Sequence, residues 1–514
     1  MKVAFRVDSS TVIGSGHVYR CLSLAIQLIK QDYQVTFICT NHVGNVNRII
    51  QEAGFKLLCL GEPAVELVPE DTSTWLGTTY SEDAANTITA LNSLGVLDYL
   101  IVDHYGIDSR WESLLTPYSA QIVVIDDLAN RAHKCDILLD QTYGRLPSDY
   151  SSYVTPGTKL LLGTEYALLR EEFLIAIPTA RHKRLLNKSI KHVLISLGGT
   201  DRTNVSKTLI DLLNQSPLEN TTQLTIIAGP NNPHYPALID ASVQSRFVNC
   251  RVLRSISNMA EVLTESDLAI GASGASAWER CSLGLPSINI ELASNQKDIC
   301  RILSKKGAAL SLGTPDKLNA LALTTAIKNI QMNYQTMVEN AVSIVDGKGT
   351  LRASTALINK PLNDGNIAYL KLAGRNDCHQ FYLWQLEPAT RANSLNPAVP
   401  TWTEHQQWFS KQISNQNNKL YLVVSNGEPL GMLRLDLIAP LSYEISIVTA
   451  QEKVRTGVAS AALKLARALL PKAKLYATIL AKNHASIGLF INQGFERIEQ
   501  NRYLQKAHGM PNDK

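Results

Sequence analysis

Long apolar runs are missing from this chain. No stretch reaches the roughly eighteen residues that a helix needs to cross a bilayer. The opening residues, MKVAFRV, read as a strand rather than as a basic segment leading into an apolar stretch and a cleavage site. A soluble, cytoplasmic protein with no membrane partner is expected. Paired cysteines are missing as well: Cys21, Cys39, Cys59, Cys135, Cys250, Cys281, Cys300 and Cys378 form no C-x-x-C pair and no cluster with histidine. That scatter argues against a disulfide framework and a zinc site, so reduced thiols are expected. Charge of one sign is scarce too. The net charge is +4 over 514 residues with no run of five basic side chains, which points away from nucleic acid as a partner. No obligate protein partner is evident, and no solenoid or propeller repeat is found.

What is present is ample core material, 45% hydrophobic against 18% charged residues, in a chain longer than one hydrophobic core supports. β-branched runs at 3–7, 35–39, 99–102, 122–125 and 137–139 alternate with helical patterns, the signature of a parallel sheet covered on both faces. The polar, basic stretch TARHKRLLNKS at 179–189 reads as an interdomain connection. The pattern then restarts at 192–197, 224–228, 268–270 and 287–290 and ends in helical material at 315–345. Residues 346–366, with Gly347, Gly349, Pro361 and Gly365, read as a linker, and beyond them the character changes to α+β. The expected domains are therefore 1–178, 190–345 and 367–510, the first two being Rossmann-type and facing each other across a ligand cleft.

Two glycine loops carry the chemistry of the first two domains. The segment GSGHVYR, holding Gly14, Gly16, His17 and Arg20, follows the first strand and opens a helix with apolar positions at Val18, Leu22, Ala25 and Ile29. Glycine lets the backbone approach a ligand, and free N–H groups at a helix start attract phosphate. His17 sits where the helix dipole disfavours imidazolium, so its ring is suited to act as a general base, with Asp8 as a candidate orienter. A plain glycine turn beside a surface histidine gives the same letters. In GASGASAWER, Gly271, Ser273, Gly274 and Ser276 fit a phosphate loop, and Glu279 lies where a ribose-binding carboxylate stands in dinucleotide sites. Close helix–strand packing is the competing reading. Gly198, Gly199 and Asn295 belong to further turns expected on the same rim, and ordinary turn chemistry also accounts for them.

The run FRVDSSTVIGSGHVYRCLSLA, with IVDHYGID, VIDDLANRAHKCDILLDQTYGR, LLGTEYALLREEF, ISLGGTD, GASGASAWERCSLGLP and ASNQ, resembles the UDP-sugar hydrolases of pseudaminic acid biosynthesis over 1–345. The resemblance implies a GT-B-like, MurG-related fold. It further implies release of UDP from UDP-2,4-diacetamido-2,4,6-trideoxy-β-L-altrose by water attack at the anomeric carbon, without a metal. His17 then activates the water, Asn295 and Tyr105 contact the sugar, and the GASGASAWE segment holds UDP. Ser273 and Ala275 stand where glycine and serine are expected in relatives. A UDP-sugar glycosyltransferase of the same fold is the main alternative, since it differs in what attacks the sugar.

In the last third, WTEHQQWF, NGEPLGMLRLDL, YEISIV, VRTGVA and NHASIGLFINQGFERI occur in the order found in GNAT acetyltransferases, which this region resembles over 367–504. The resemblance implies acetyl-CoA as cosubstrate, bound by Arg455, Thr456, Gly457, Val458 and Ala459 together with Asn483 and Phe490. The implied reaction is acetylation of the 4-amino group of the preceding UDP-sugar. Val454 replaces the usual glutamine or arginine, and Phe490 stands where many relatives carry a tyrosine that protonates the leaving thiolate. Loss of such an acid slows a reaction by about 10²- to 10⁴-fold. Glu444 is a candidate for deprotonating the amine, with a solvated strand carboxylate as the other reading. Survival of this domain only as a binding module is the corresponding alternative.

Overall fold

The computed structural model describes residues 1–507 except 188, 200, 230, 231, 255 and 416, and it divides into two compact units that part after Thr350. No helix among the described residues is long and apolar enough to cross a membrane.

The first unit holds two all-parallel sheets. In one, β1 (Lys2–Val7), β2 (Gln34–Cys39), β3 (Lys56–Cys59), β4 (Leu97–Asp103), β5 (Ser119–Ile125), β6 (Ile137–Asp140) and β7 (Lys159–Leu162) lie in the order β3-β2-β1-β4-β5-β6-β7. In the other, β8 (His192–Ser196), β9 (Gln223–Ile227), β10 (Cys250–Leu253), β11 (Leu268–Ala272), β12 (Ser287–Ile290) and β13 (Ala309–Ser311) lie in the order β10-β9-β8-β11-β12-β13. Both sheets reverse direction of winding between their first and fourth strands, and ligands of doubly wound sheets bind in the crevice outside the carboxyl ends at such a switch point. β1 and β4 are neighbours with Val7 opposite Asp103, and β8 and β11 are neighbours with Ser196 opposite Gly271. The central strands are buried on both faces, which is why they read as unbroken apolar runs rather than as alternation. This is the GT-B-like pair of Rossmann-type lobes.

The chain passes between the lobes differently from expectation. Residues 179–186 are not a solvated connection, because they are the end of helix Glu171–Leu186, which packs Phe173 and Ala180 into the core of the second lobe; Lys188 of the expected connection lies outside the described residues. Its basic residues bind carbonyls at helix ends there: Arg184 donates to Leu263 O and Ser266 O, and Arg181 donates to Ser282 O and Val345 O. Composition alone reads such residues as linker; the contact of their guanidinium groups with carbonyls at helix ends is a tertiary property.

The expected linker at 346–366 is likewise corrected. It contains helix Gly349–Leu357 and strand β14 (Asn359–Pro361), antiparallel to β15 (Ile367–Leu372). Gly347 turns with φ +80°, and Pro361 is accommodated because β14 is the edge strand of its sheet.

In the second unit, β16 (Asn418–Ser425), β17 (Glu428–Ala439), β18 (Ser442–Thr449), β19 (Lys474–Thr478), β20 (Glu496–Glu499) and β21 (Arg502–Gln505) complete a mixed sheet ordered β14-β15-β16-β17-β18-β19-β21-β20. Asn426 and Gly427, both at positive φ, make the tight hairpin between β16 and β17. Helix Val458–Leu469 packs on one face with Phe490, and helices Cys378–Leu386 and Trp402–Ser414 cover part of the other.

Candidate active site

At the carboxyl end of β1 the chain turns tightly: Ser10 Oγ accepts from the N–H groups of Val12 and Ile13, and Gly14 closes the turn onto Ser10 O at φ +80°. Helix Gly16–Ile29 then starts and places His17 beside the last residue of β4. His17 Nδ1 stands 2.6 Å from Asp103 Oδ1. A carboxylate at that distance requires the proton on Nδ1, so in the neutral ring Nε2 carries the lone pair. Arg20, one turn on, donates to both oxygens of Asp103 at 2.6 and 2.7 Å and reaches Asp127 Oδ2 at 2.9 Å. Tyr105 donates its hydroxyl to Asp127 and sets its ring edge-on to His17, 4.6 Å between centroids. Burial alone raises the pKa of Asp103, but the charges and hydrogen bonds of Arg20 and His17 outweigh it and hold the carboxyl below the ordinary carboxylate range.

The structure thus brings His17, Arg20 and Tyr105 together as one cluster and adds Asp103 and Asp127, which sequence reasoning missed. It corrects the role given to Asp8. That carboxylate is engaged by Arg6 at 2.7 Å and the Thr40 N–H, with His42 and His104 on its other oxygen at 3.5 and 3.4 Å. The reason is topological: β4, not β1 itself, carries the carboxylate that meets the helix start.

His104 is fully enclosed, its Nδ1 accepting from the Gly106 N–H, and burial pulls its pKa from 6.5 down to about 3. The unfolded chain takes up that proton near 6.5, whereas the native state refuses it until about 3. Stability contributed by this group is therefore present above that window and falls as pH drops through it. Melting temperatures measured between pH 7 and 4 are expected to fall less steeply in His104→Asn, which keeps an acceptor for Gly106 but does not titrate.

In the second lobe, β11 runs into the glycine loop. A Cβ on Gly271 would stand 2.8 Å from both Arg280 Nη1 and Ser196 O, so glycine is required for the approach. Gly274 opens to space, while Gly199 is so tightly covered by Gly229 that a Cβ on the latter would meet Gly199 O at 1.9 Å. Gly198 turns at φ +86° beside it; Thr200 of this turn lies outside the described residues. Gln296 Oε1 accepts from Ser273 N and Leu292 N, tying the turn that carries exposed Asn295 to the loop. Ser273, read as a phosphate ligand, is buried with its Oγ turned away from solvent, whereas Ser276 stays partly open. A cavity of about 30 Å³ lined by Ser196, Met259, Ser276, Glu279 and Arg280 lies beneath. Glu279 meets Arg170 at 3.2 Å, and Arg170 stacks 5.5 Å over the ring of Tyr19. One guanidinium therefore links the helix bearing His17 to the helix bearing Glu279. Burial pushes the Glu279 carboxyl up, against the pull of Arg170.

In the second unit, β18 and β19 pair in parallel only from Ser442 with Lys474 to Glu444 with Tyr476 and then diverge. Glu444 stands at the divergence, accepting from Thr478 Oγ1 at 2.8 Å. The loop of Arg455 (φ +69°), Thr456 and Gly457 (φ +93°) leads into helix Val458–Leu469, whose first residues are Val458 and Ala459. Asn363 braces this loop by donating to Thr456 O and Arg455 O. Asn483 caps helix His484–Asn492 through the Ser486 N–H. Phe490 is 5% exposed and packs edge-on against Phe495 at 4.9 Å, as part of the core.

Comparison with known proteins matches residues 192–348 to the glycosyltransferase family 28 C-terminal domain and residues 379–495 to the acetyltransferase (GNAT) family. The UDP-2,4-diacetamido-2,4,6-trideoxy-beta-L-altropyranose hydrolase of Campylobacter jejuni is 29% identical over 60% of this chain and 97% of its own length. An uncharacterised protein of Methanocaldococcus jannaschii is 23% identical over 98% of both chains. The crystal structure of Acinetobacter baumannii MurG aligns with 69% of this chain and 98% of its own at 16% identity and a TM-score of 0.49. The chain is accordingly a fusion, in which a region similar to the Campylobacter hydrolase and containing a family 28 C-terminal domain precedes a GNAT acetyltransferase domain.

Proposed function

We propose that residues 1–345 hydrolyse a UDP-sugar and that residues 367–510 acetylate an amine of the sugar with acetyl-CoA, both in the cytoplasm. The observation that carries the hydrolytic reading is the buried Asp103–His17 pair at the switch point of the first sheet. His17 Nε2 accepts a proton from water as its oxygen bonds to the anomeric carbon; the bond from that carbon to the diphosphate oxygen breaks, and UDP departs with the electron pair. UDP is a good leaving group, so electrostatic stabilisation counts for more than a proton donor, and no metal enters the scheme. Tyr105 and Asn295 are assigned to the sugar, the loop from Gly271 to Ser276 with Gly198 and Gly199 to the diphosphate, and Glu279 to the ribose. Similarity to the Campylobacter enzyme supports UDP-2,4-diacetamido-2,4,6-trideoxy-β-L-altropyranose as substrate and the pseudaminic acid route as context. Acetylation of the 4-amino group then supplies that substrate.

The family 28 match favours a second reading, in which a sugar or lipid alcohol replaces water as the nucleophile. The purified chain, given the UDP-4-amino sugar with and without acetyl-CoA, separates them by mass spectrometry. Acetyl-CoA-dependent release of UDP in water supports hydrolysis. Release only after an acceptor alcohol is added supports transfer. No acetylated product would sink the assignment of the last domain. Because Phe490 has no proton to give the thiolate, Phe490→Tyr is expected to raise the rate of CoA release by about tenfold or more, read with a thiol reagent.

A further inference from the structure

A positive charge lies buried under the second glycine loop, its hydrogen-bond partners among the described residues all neutral. Arg280 is 2% exposed. Its Nη2 donates to Ala272 O at 2.8 Å and to Asn289 Oδ1 at 2.9 Å, and its Nη1 donates to Ser276 Oγ at 3.2 Å. Those acceptors span both ends of the loop and the neighbouring strand β12. Glu279, next in sequence, turns its carboxylate to Arg170 instead. Among the described residues no acid is in hydrogen-bond contact with the Arg280 guanidinium, its Nε is unpartnered, and so is Nδ2 of Asn289. Gly271 admits the group to within contact of the backbone just before the loop. Burying a guanidinium against dipoles alone is unfavourable, and an asparagine here leaves one of its own donors unpaired where an aspartate would have paired fully.

We propose that Arg280 is a positioning residue whose charge, hydrogen-bonded only to neutral groups, serves as the counter-ion of the diphosphate bound on the opposite side of the loop, acting through Ala272 and Ser276 without touching the nucleotide. This rests on the nucleotide reading of the loop. In a low-dielectric setting, a unit charge a few ångströms behind the loop discriminates among ligands by their charge and leaves the uridine part untouched. Its contribution is also screened little by salt, unlike that of a surface lysine.

The test is a charge series, uridine, UMP and UDP, titrated calorimetrically into the full chain. Arg280→Gln is expected to weaken UDP by roughly ten- to hundred-fold, UMP by less, and uridine by no more than about twofold. Arg280→Lys should keep most of the UDP affinity. Asn289→Asp keeps Arg280 in place and neutralises it with a carboxylate, so it guards against a variant that merely fails to fold. It is expected to raise the melting temperature while weakening UDP and sparing uridine. Equal weakening of all three ligands in Arg280→Gln, or undiminished UDP affinity in Asn289→Asp, would overturn the inference while leaving the nucleotide site standing. If the native chain binds uridine and UDP equally poorly, the nucleotide reading falls and the inference falls with it.

Discussion

His17→Ala is expected to lower the rate of UDP release by about 10³-fold or more, with the KM for the UDP-sugar changed little. The imidazole can offer its Nε2 lone pair to water, whereas Arg20 and Tyr105 are both engaged as donors to carboxylates. Asp103→Asn is the sharper variant. An amide can still sit beside His17, but it can present its N–H₂ to Nδ1, which favours the tautomer with the proton on Nε2 and removes the acceptor for water. The loss expected is about 10²- to 10⁴-fold in kcat, with the pH profile on its acid side altered as well. Arg20 also loses its two-point partner, so the melting temperature must be measured in parallel. The outcome that would sink the dyad is an Asp103→Asn enzyme that folds and keeps wild-type kcat. Acetylated UDP-sugar accumulating in His17→Ala would show in addition that acetylation comes first.

The second large effect concerns stability. Gly349 begins the helix at Gly349–Leu357, and a Cβ there would stand 2.3 Å from both the N and O atoms of Ala167. Its φ is ordinary, so the obstacle is steric rather than conformational. Neither clashing atom belongs to a flexible side chain. Thr350 Oγ1 donates to Leu169 O and Thr164 Oγ1 donates to Ile344 O, pinning the two segments against each other so that neither can retreat alone. Gly349→Ala is expected to destabilise the first unit by about 3 kcal/mol or more. It should appear as an early transition in differential scanning calorimetry. Gly488→Ala is the counter-case: nothing lies within 4 Å of its Cβ position, its φ is helical, and it sits in helix His484–Asn492. There alanine is expected to stabilise by up to about 1 kcal/mol. If both variants melt alike, the close approach at Ala167 is not a constraint on the fold.

The central strands of both parallel sheets were legible because burial on two faces makes them continuous apolar runs. β3, β7, β10 and β13 were not. Each is a short, partly exposed strand at a sheet edge, too brief for its pattern to separate it from a loop. The GSGH motif was legible because glycine, a strand end and a helix start are all local. Asp103 was not, being 86 positions from His17 and brought there by the parallel pairing of β1 with β4. Asp8, though nearer to His17 in sequence, is held by Arg6 and the Thr40 N–H instead. Likewise, the basic stretch at 179–189 and the glycine-bearing stretch at 346–366 have loop-like composition. Their structure comes from what they pack on: carbonyl groups at helix ends for Arg181 and Arg184 of the first, the Ala167 backbone for Gly349 and strand β15 for β14 of the second.

By itself the sequence determined the alternation that makes two parallel sheets, the change to α+β after residue 366, the glycine turns at strand ends, and the phenylalanine at 490. These depend on periodicity, on the freedom of glycine and on the chemistry of single side chains, all of which are local. The tertiary structure alone decided that Asp103 holds His17, that Arg170 ties the helix of His17 to Glu279, and that Arg280 lies beneath the loop hydrogen-bonded only to neutral groups. Those outcomes depend on which strands become neighbours and which charges lose their water, and neither is encoded in the spacing of residues along the chain.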